Sequence, residues 1–83
     1  MAAPEIEVLV FARVAEVVGR DRVRLPRPAT AGELKTAIAA AYCELQPLAA
    51  SLLVAVDGGY VADGYRLSAV DREVAVFPPV SGG

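Results

Sequence analysis

The chain has 83 residues, room for one hydrophobic core and therefore one domain spanning residues 1–83. Its apolar fraction is 55%, and 8 basic against 10 acidic residues leave a net charge of −2. This excludes a disordered, highly charged chain and offers no basic stripe for nucleic acid. There is no histidine and one cysteine, so neither a zinc site of His and Cys ligands nor a His-based acid, base or triad can be built from this chain, and no metal is expected.

The opening run Glu5 to Phe11 (EIEVLVF) alternates with a period of two, which predicts a strand. Ile6, Val8 and Val10 form its core face. The other face begins charged at Glu7 and ends apolar at Leu9 and Phe11. Ala12 to Val18 has valines at helical spacing and stops at Gly19, a residue suited to a left-handed helix end. Asp21 to Leu25 alternates charged and apolar residues, a second strand with one wet face, stopped by Pro26 and Pro28.

Thr30 and Glu33 have the spacing of a capping box, in which the hydroxyl accepts from the third amide and the carboxylate reaches back to the cap amide. Leu34, Ala37, Ile38, Ala41 and Leu45 then form one apolar stripe on a helix from about Ala31 to Glu44, with Pro47 marking its end. Leu52 to Val56 reads as a buried strand. Asp57-Gly58-Gly59 is a hairpin signal, followed by a short return strand, Tyr60 to Ala62. Asp63-Gly64 is a further turn, and Leu67 to Val70 an irregular one with a single buried leucine. Glu73 to Phe77 closes the set, with Val74 and Val76 on one face and Ala75 and Phe77 on the other.

The expected architecture is α+β: a mixed sheet of four to five strands covered on one face by one long helix. The pattern resembles a ubiquitin-like β-grasp. The longest uncharged apolar stretch, Leu45 to Val56, falls short of the roughly 20 residues of a membrane helix. The amino terminus has no basic segment ahead of an apolar run. Together with the single cysteine, these features lead us to expect a cytoplasmic protein with no membrane partner.

The end of the chain, residues 78–83, reads as an extended tail. Pro78 and Pro79 cannot join a ladder and send the backbone out in a polyproline-like form. Val80 and Ser81 are small, and Gly82 and Gly83 are bare backbone, able to enter a channel too narrow for other residues. Terminal residues commonly fray, but two stiff prolines ahead of two glycines are an unusual way to do so. Asp57 and Asp63 sit in turns, where Asp favours local hydrogen bonds over catalysis. Cys43, near the helix end, is expected to be buried and inert.

The tail FPPVSGG and the opening VLVFARVAEVVG resemble the molybdopterin synthase small subunits, the MoaD-like sulfur carriers. The resemblance covers nearly the whole chain, from Glu5 to Gly83. A terminal Gly-Gly alone would also fit thiamine-pathway carriers and ubiquitin-like modifiers; the FPPV context points to the molybdopterin branch. Asp57, where an Asn is common, and Arg72, where a Gly-Asp turn is common, depart from the pattern only in loops.

The resemblance implies that the carboxylate of Gly83 is adenylated by an activating enzyme that consumes ATP. The small subunit itself binds no cofactor. Sulfur then displaces AMP to leave a thiocarboxylate. The tail residues Val80, Ser81 and Gly82 insert into the large synthase subunit, in a heterotetramer of two small and two large subunits. There Gly83 donates its sulfur to cyclic pyranopterin monophosphate. The catalytic residues would lie in the large subunit.

The resemblance further implies docking through Leu9, Phe11, Val61 and Phe77. Strand parity independently puts Leu9, Phe11, Ala75 and Phe77 on one apolar face beside the tail, if the first and last strands are neighbours. The alternatives are a ubiquitin-like modifier joined through Gly83 to lysines, and a carrier for thiamine or another thiolated metabolite. Lys35 is the only lysine, so chains built on this protein have at most one side-chain site.

Overall fold

Alternation in the opening run produces β1 (Glu5–Val10), the strand around which the fold is arranged. The computed structural model describes residues 5–68 and 73–79. The expectations for Val70, Arg72, Val80, Ser81, Gly82 and Gly83 lie outside the described residues. β1 pairs antiparallel with β2 (Arg22–Pro26) and parallel with β5 (Val74–Phe77). β5 pairs antiparallel with β3 (Leu53–Val56), which forms a hairpin with β4 (Gly59–Val61). The sheet order is β2-β1-β5-β3-β4. With one long helix crossing between β2 and β3, this is the mixed five-stranded sheet of a ubiquitin-like β-grasp.

The helix side of the sheet carries Val8, Val10, Val74, Val76, Val54 and Val56, all buried. Branched side chains suit a pleated surface that is closed over. The covering helix, α2 (Ala31–Ala41), contributes Leu34 and Ile38, both fully buried. Each such side chain is worth about 1.5–3 kcal/mol of apolar transfer.

A short helix, α1 (Ala12–Val18), links β1 to β2, adds fully buried Val14 and ends at Gly19 as expected, with φ 84°. The Gly19 N–H donates to Ala15 O at 2.8 Å. At the other end Ala12 also takes a left-handed conformation, φ 52°, which turns the chain immediately after Phe11.

The start of α2 is fully satisfied. Ala31 N donates to Tyr65 O (2.9 Å), Gly32 N to Asp63 O (2.8 Å), Glu33 N to Thr30 Oγ1 (3.2 Å) and Leu34 N to Thr30 O (3.0 Å). The capping box is only half realised. The Glu33 carboxylate accepts from Ala29 N at 3.3 Å, one residue before the cap, where Thr30 is bridged to Arg66.

Two expectations for the helix are corrected. It ends at Ala41 rather than Glu44, and a 3₁₀ segment (Cys43–Ser51) follows. Pro47 has no N–H for Cys43 O, and its ring would press on that carbonyl in an α-helix. The buried stripe also differs. Ala41 is exposed and Ala37 half-buried, whereas Ala31, Lys35 and Ala39 are buried. Leu45 does reach the core, but from the 3₁₀ segment. Alanines lie on several sides of this helix, so the apolar pattern defines the buried face only loosely. Cys43, expected to be buried, is exposed.

Candidate functional site: the outer face of the sheet

The face turned away from α2 is divided. At its β2 side, Arg22 pairs with Glu7 at 3.2 Å and Arg24 with Glu5 at 3.7 Å, diagonally across β1 and β2. Such exposed pairs contribute about 0–1 kcal/mol each and serve mainly to keep the β2 edge wet. A shallow depression lined by Glu7, Leu9, Arg22, Glu73 and Val74 marks the boundary. Beyond it the face becomes apolar.

Register determines what meets there. Leu9 stands opposite Ala75, Ala75 opposite Ala55, and Ala55 opposite Tyr60. One row further on, Phe77 stands opposite Leu53. Phe11, just past the end of β1, comes alongside Phe77 because Val10 is opposite Val76. The two rings stack with centroids 4.6 Å apart and planes 5° from parallel. Tyr60 meets Phe77 edge-on at 5.8 Å and 72°. These are the offset-stacked and edge-to-face distances that aromatic pairs favour.

Ala55 and Ala75 are buried, and Leu9, Leu53 and Phe77 are half-buried. Phe11 is 41% exposed and Tyr60 67%. Pro78 and Pro79, both half-buried, directly follow the central ring, so the tail starts from the middle of this patch.

Of the expected docking residues, Leu9, Phe11 and Phe77 share this face. Val61 does not. It stands opposite Val54 and packs against the core on the helix side. Tyr60 takes the place beside Phe77. The signal for it was present in the turn. Asp57 and Gly58 both have positive φ (50° and 88°), the conformation of a tight two-residue hairpin turn. That turn puts Val56 opposite Gly59, and hence Ala55 opposite Tyr60.

The two aspartates have structural partners, and these lie far away in the chain rather than within the turns. Asp57 Oδ1 accepts from Glu73 N at 2.8 Å, and Asp57 N donates to Glu73 O at 2.7 Å. Asp63 pairs with Lys35. Among the described residues, no cluster of three or more His, Cys, Asp or Glu side chains could hold a metal ion, and no helix is long and apolar enough to cross a membrane. The site is thus a partly exposed apolar and aromatic face from which Pro78 and Pro79 lead away.

Residues 8–83 match the ThiS family. A molybdopterin synthase sulfur carrier subunit of Caenorhabditis elegans is 33% identical over 81 residues, covering 94% of this chain and 96% of the relative. The Homo sapiens protein of the same name is 32% identical over 83 residues, covering 95% and 94%. The crystal structure of small archaeal modifier protein 1 of Haloferax volcanii superposes with a TM-score of 0.75 at 32% identity, covering 95% of this chain and all of that one. The chain therefore belongs to the ThiS family, as the resemblance of its opening strand and tail to the MoaD-like sulfur carriers implied.

Proposed function

We propose that this chain is the sulfur carrier subunit of a molybdopterin synthase. The observation that carries the reading is the aromatic patch of Phe11, Phe77 and Tyr60 at the base of a Pro-Pro tail ending in Gly-Gly, in a chain whose full-length relatives bear that name. The patch docks a large synthase subunit, and the tail, from Val80 through Gly82, carries Gly83 into that subunit's active site. Two small and two large subunits make up the enzyme, in the cytoplasm.

A carboxylate is a poor electrophile, so it must first be given a leaving group. A Gly83 carboxylate oxygen attacks the α-phosphorus of ATP on an activating enzyme, and pyrophosphate leaves. Sulfide then attacks the acyl carbon, the C–S bond forms with loss of its proton, and AMP leaves with the electron pair of the broken C–O bond. The resulting thiocarboxylate is a good sulfur nucleophile: its sulfur displaces an oxygen substituent of cyclic pyranopterin monophosphate, water then cleaves the acyl–sulfur bond and returns the Gly83 carboxylate, and two such transfers build the dithiolene. In this division of labour the chain supplies reach and docking, and the large subunit supplies acid–base groups, which suits a chain without histidine.

The test is deletion of Gly82 and Gly83, or addition of one residue after Gly83. Sulfur transfer should be abolished while melting is unchanged, because changes outside the core shift stability by less than about 0.5 kcal/mol. A terminally extended chain that still supports molybdopterin synthesis with the extension attached would overturn the proposal. A second reading, a protein modifier joined through Gly83, is favoured by the likeness to small archaeal modifier protein 1. Intact mass of the protein purified from its source separates the two: exchange of one terminal oxygen for sulfur marks the carrier, and a covalent protein adduct marks the modifier.

A further inference from the structure

Lys35 is the only lysine in the chain, and the other seven basic residues are arginines. Lys35 is also the one charged residue buried among the described residues. It lies on the second turn of α2, with its side chain 9% exposed. Its Nζ is 2.8 Å from Asp63 Oδ1 and donates to Ala50 O at 3.3 Å. These partners come from two different segments, the turn after β4 and the end of the 3₁₀ segment.

Asp63 is itself held close to the helix, because its carbonyl accepts from Gly32 N. A Cβ at Gly32 would lie 3.1 Å from Asp63 Cβ and 3.2 Å from Asp63 O, so a side chain there would push Asp63 away by a few tenths of an ångström. The ammonium is thus enclosed, and only the Asp63 side of the pair, 70% exposed, faces water.

We propose that Lys35 is sequestered from acyl transfer, so that this chain donates its own activated terminus but offers no side-chain amine to another copy. The inference rests on the reading that Gly83 is activated. An acyl adenylate is consumed by an amine when the nitrogen lone pair adds to the acyl carbon. The C–N bond forms, AMP leaves with the C–O electron pair, and the amine loses a proton to solvent. The attacking nitrogen must be free of its hydrogen-bond partners and able to meet a carbonyl at the surface. Lys35 Nζ meets neither condition. Arginine does not replace it, because a guanidinium stays protonated and is a poor nucleophile. An activated terminus is therefore preserved for its intended acceptor even where many copies are close together, and chains linked through this side chain do not form.

The test is acetylation of the whole folded protein with an N-hydroxysuccinimide ester, followed by peptide mapping. Lys35 should be modified at least about tenfold more slowly in the native state than in urea, because labelling must wait for local opening. The lysine introduced by Arg24→Lys, at a side chain 70% exposed, reports the rate for an open site in the same fold. Asp63→Ala should raise Lys35 labelling severalfold with circular dichroism unchanged. Labelling of native Lys35 within about twofold of the introduced lysine would overturn the proposal, since no opening step would then protect it. Labelling unaltered by Asp63→Ala would overturn the part assigned to the ion pair. Neither outcome depends on whether Gly83 is ever activated, so a failure here is distinct from failure of the carrier reading.

Discussion

On the helix side of the sheet, Val8, Val10, Val54, Val74 and Val76 are sealed beneath α2. On the other side, Leu9, Leu53 and Phe77 are only half covered, and Phe11 and Tyr60 stand in solvent. Both sides are apolar near the centre, yet they use different residue types. The sealed side uses small branched chains that form one buried cluster with Leu34 and Ile38. The open side uses aromatic rings on an alanine floor, which expose large area and present flat, rigid surfaces. A small domain has little burial to spare. Under the proposed docking a partner would cover these side chains, and the contrast would then separate residues that hold the fold from residues that meet another protein.

The contrast is most sharply tested on the sealed side. Ile38→Ala, at a fully buried position, should cost about 2–5 kcal/mol in urea denaturation. The folded fraction should still bind the large subunit normally. A mutant that melts like the parent would break the assignment of α2 as the lid of the core.

Phe77→Ala should do the reverse. Aromatic anchors commonly cost about 2 kcal/mol or more on truncation, a loss of affinity of roughly thirtyfold. Its stacking partners are worth about 0.5–1.5 kcal/mol per pair, which bounds the loss of melting stability from the broken stacks. Calorimetric melting and affinity measured on the same variant decide the matter. A strongly destabilised protein that binds normally when folded would remove Phe77 from the docking surface.

The adjacent pair Tyr60 and Val61 sharpens the comparison within a single strand. Tyr60→Ala should weaken docking by roughly tenfold, about 1.4 kcal/mol, with little change in melting. Val61→Ala should lower stability by about 1 kcal/mol and leave docking intact. The opposite pattern would mean that β4 is shifted by one residue, which exchanges its two faces.

The smallest expected effects are in the backbone next to the patch. α1 is bracketed by two left-handed residues, Ala12 and Gly19. Ala12→Gly removes a side chain from a conformation that costs about 1–2 kcal/mol, against an added unfolded-state entropy of roughly 0.4–1 kcal/mol. It should therefore be neutral or slightly stabilising in thermal melts. Gly19→Ala should destabilise by about 1 kcal/mol for the same reason in reverse. A loss of stability in Ala12→Gly would show that the alanine methyl packs against something the backbone argument ignores.

Local chemistry alone determined a large share of this protein. Alternation specified β1 and the parity that sends Phe77 outward, Gly19 specified the end of α1, and Thr30 the start of α2. Pairs of residues close in the chain carry these signals, and they act before any distant contact forms. The opening strand and the FPPVSGG tail also carried the resemblance to the sulfur carriers, and that resemblance, not composition, implied a carrier. The tertiary structure decided the remainder. An alanine-rich helix can present several faces to a sheet, so which one is buried depends on what else it touches. Here Asp63 and Ala50 draw Lys35 inward and leave Ala41 outside. Which of Tyr60 and Val61 faces the patch depends on the pairing of β4 with β3. Whether Phe11 meets Phe77 depends on β1 and β5 being parallel neighbours, 66 positions apart in the chain (77 − 11). Such contacts exist only once the sheet has closed, because it is the sheet register that brings distant side chains onto one face.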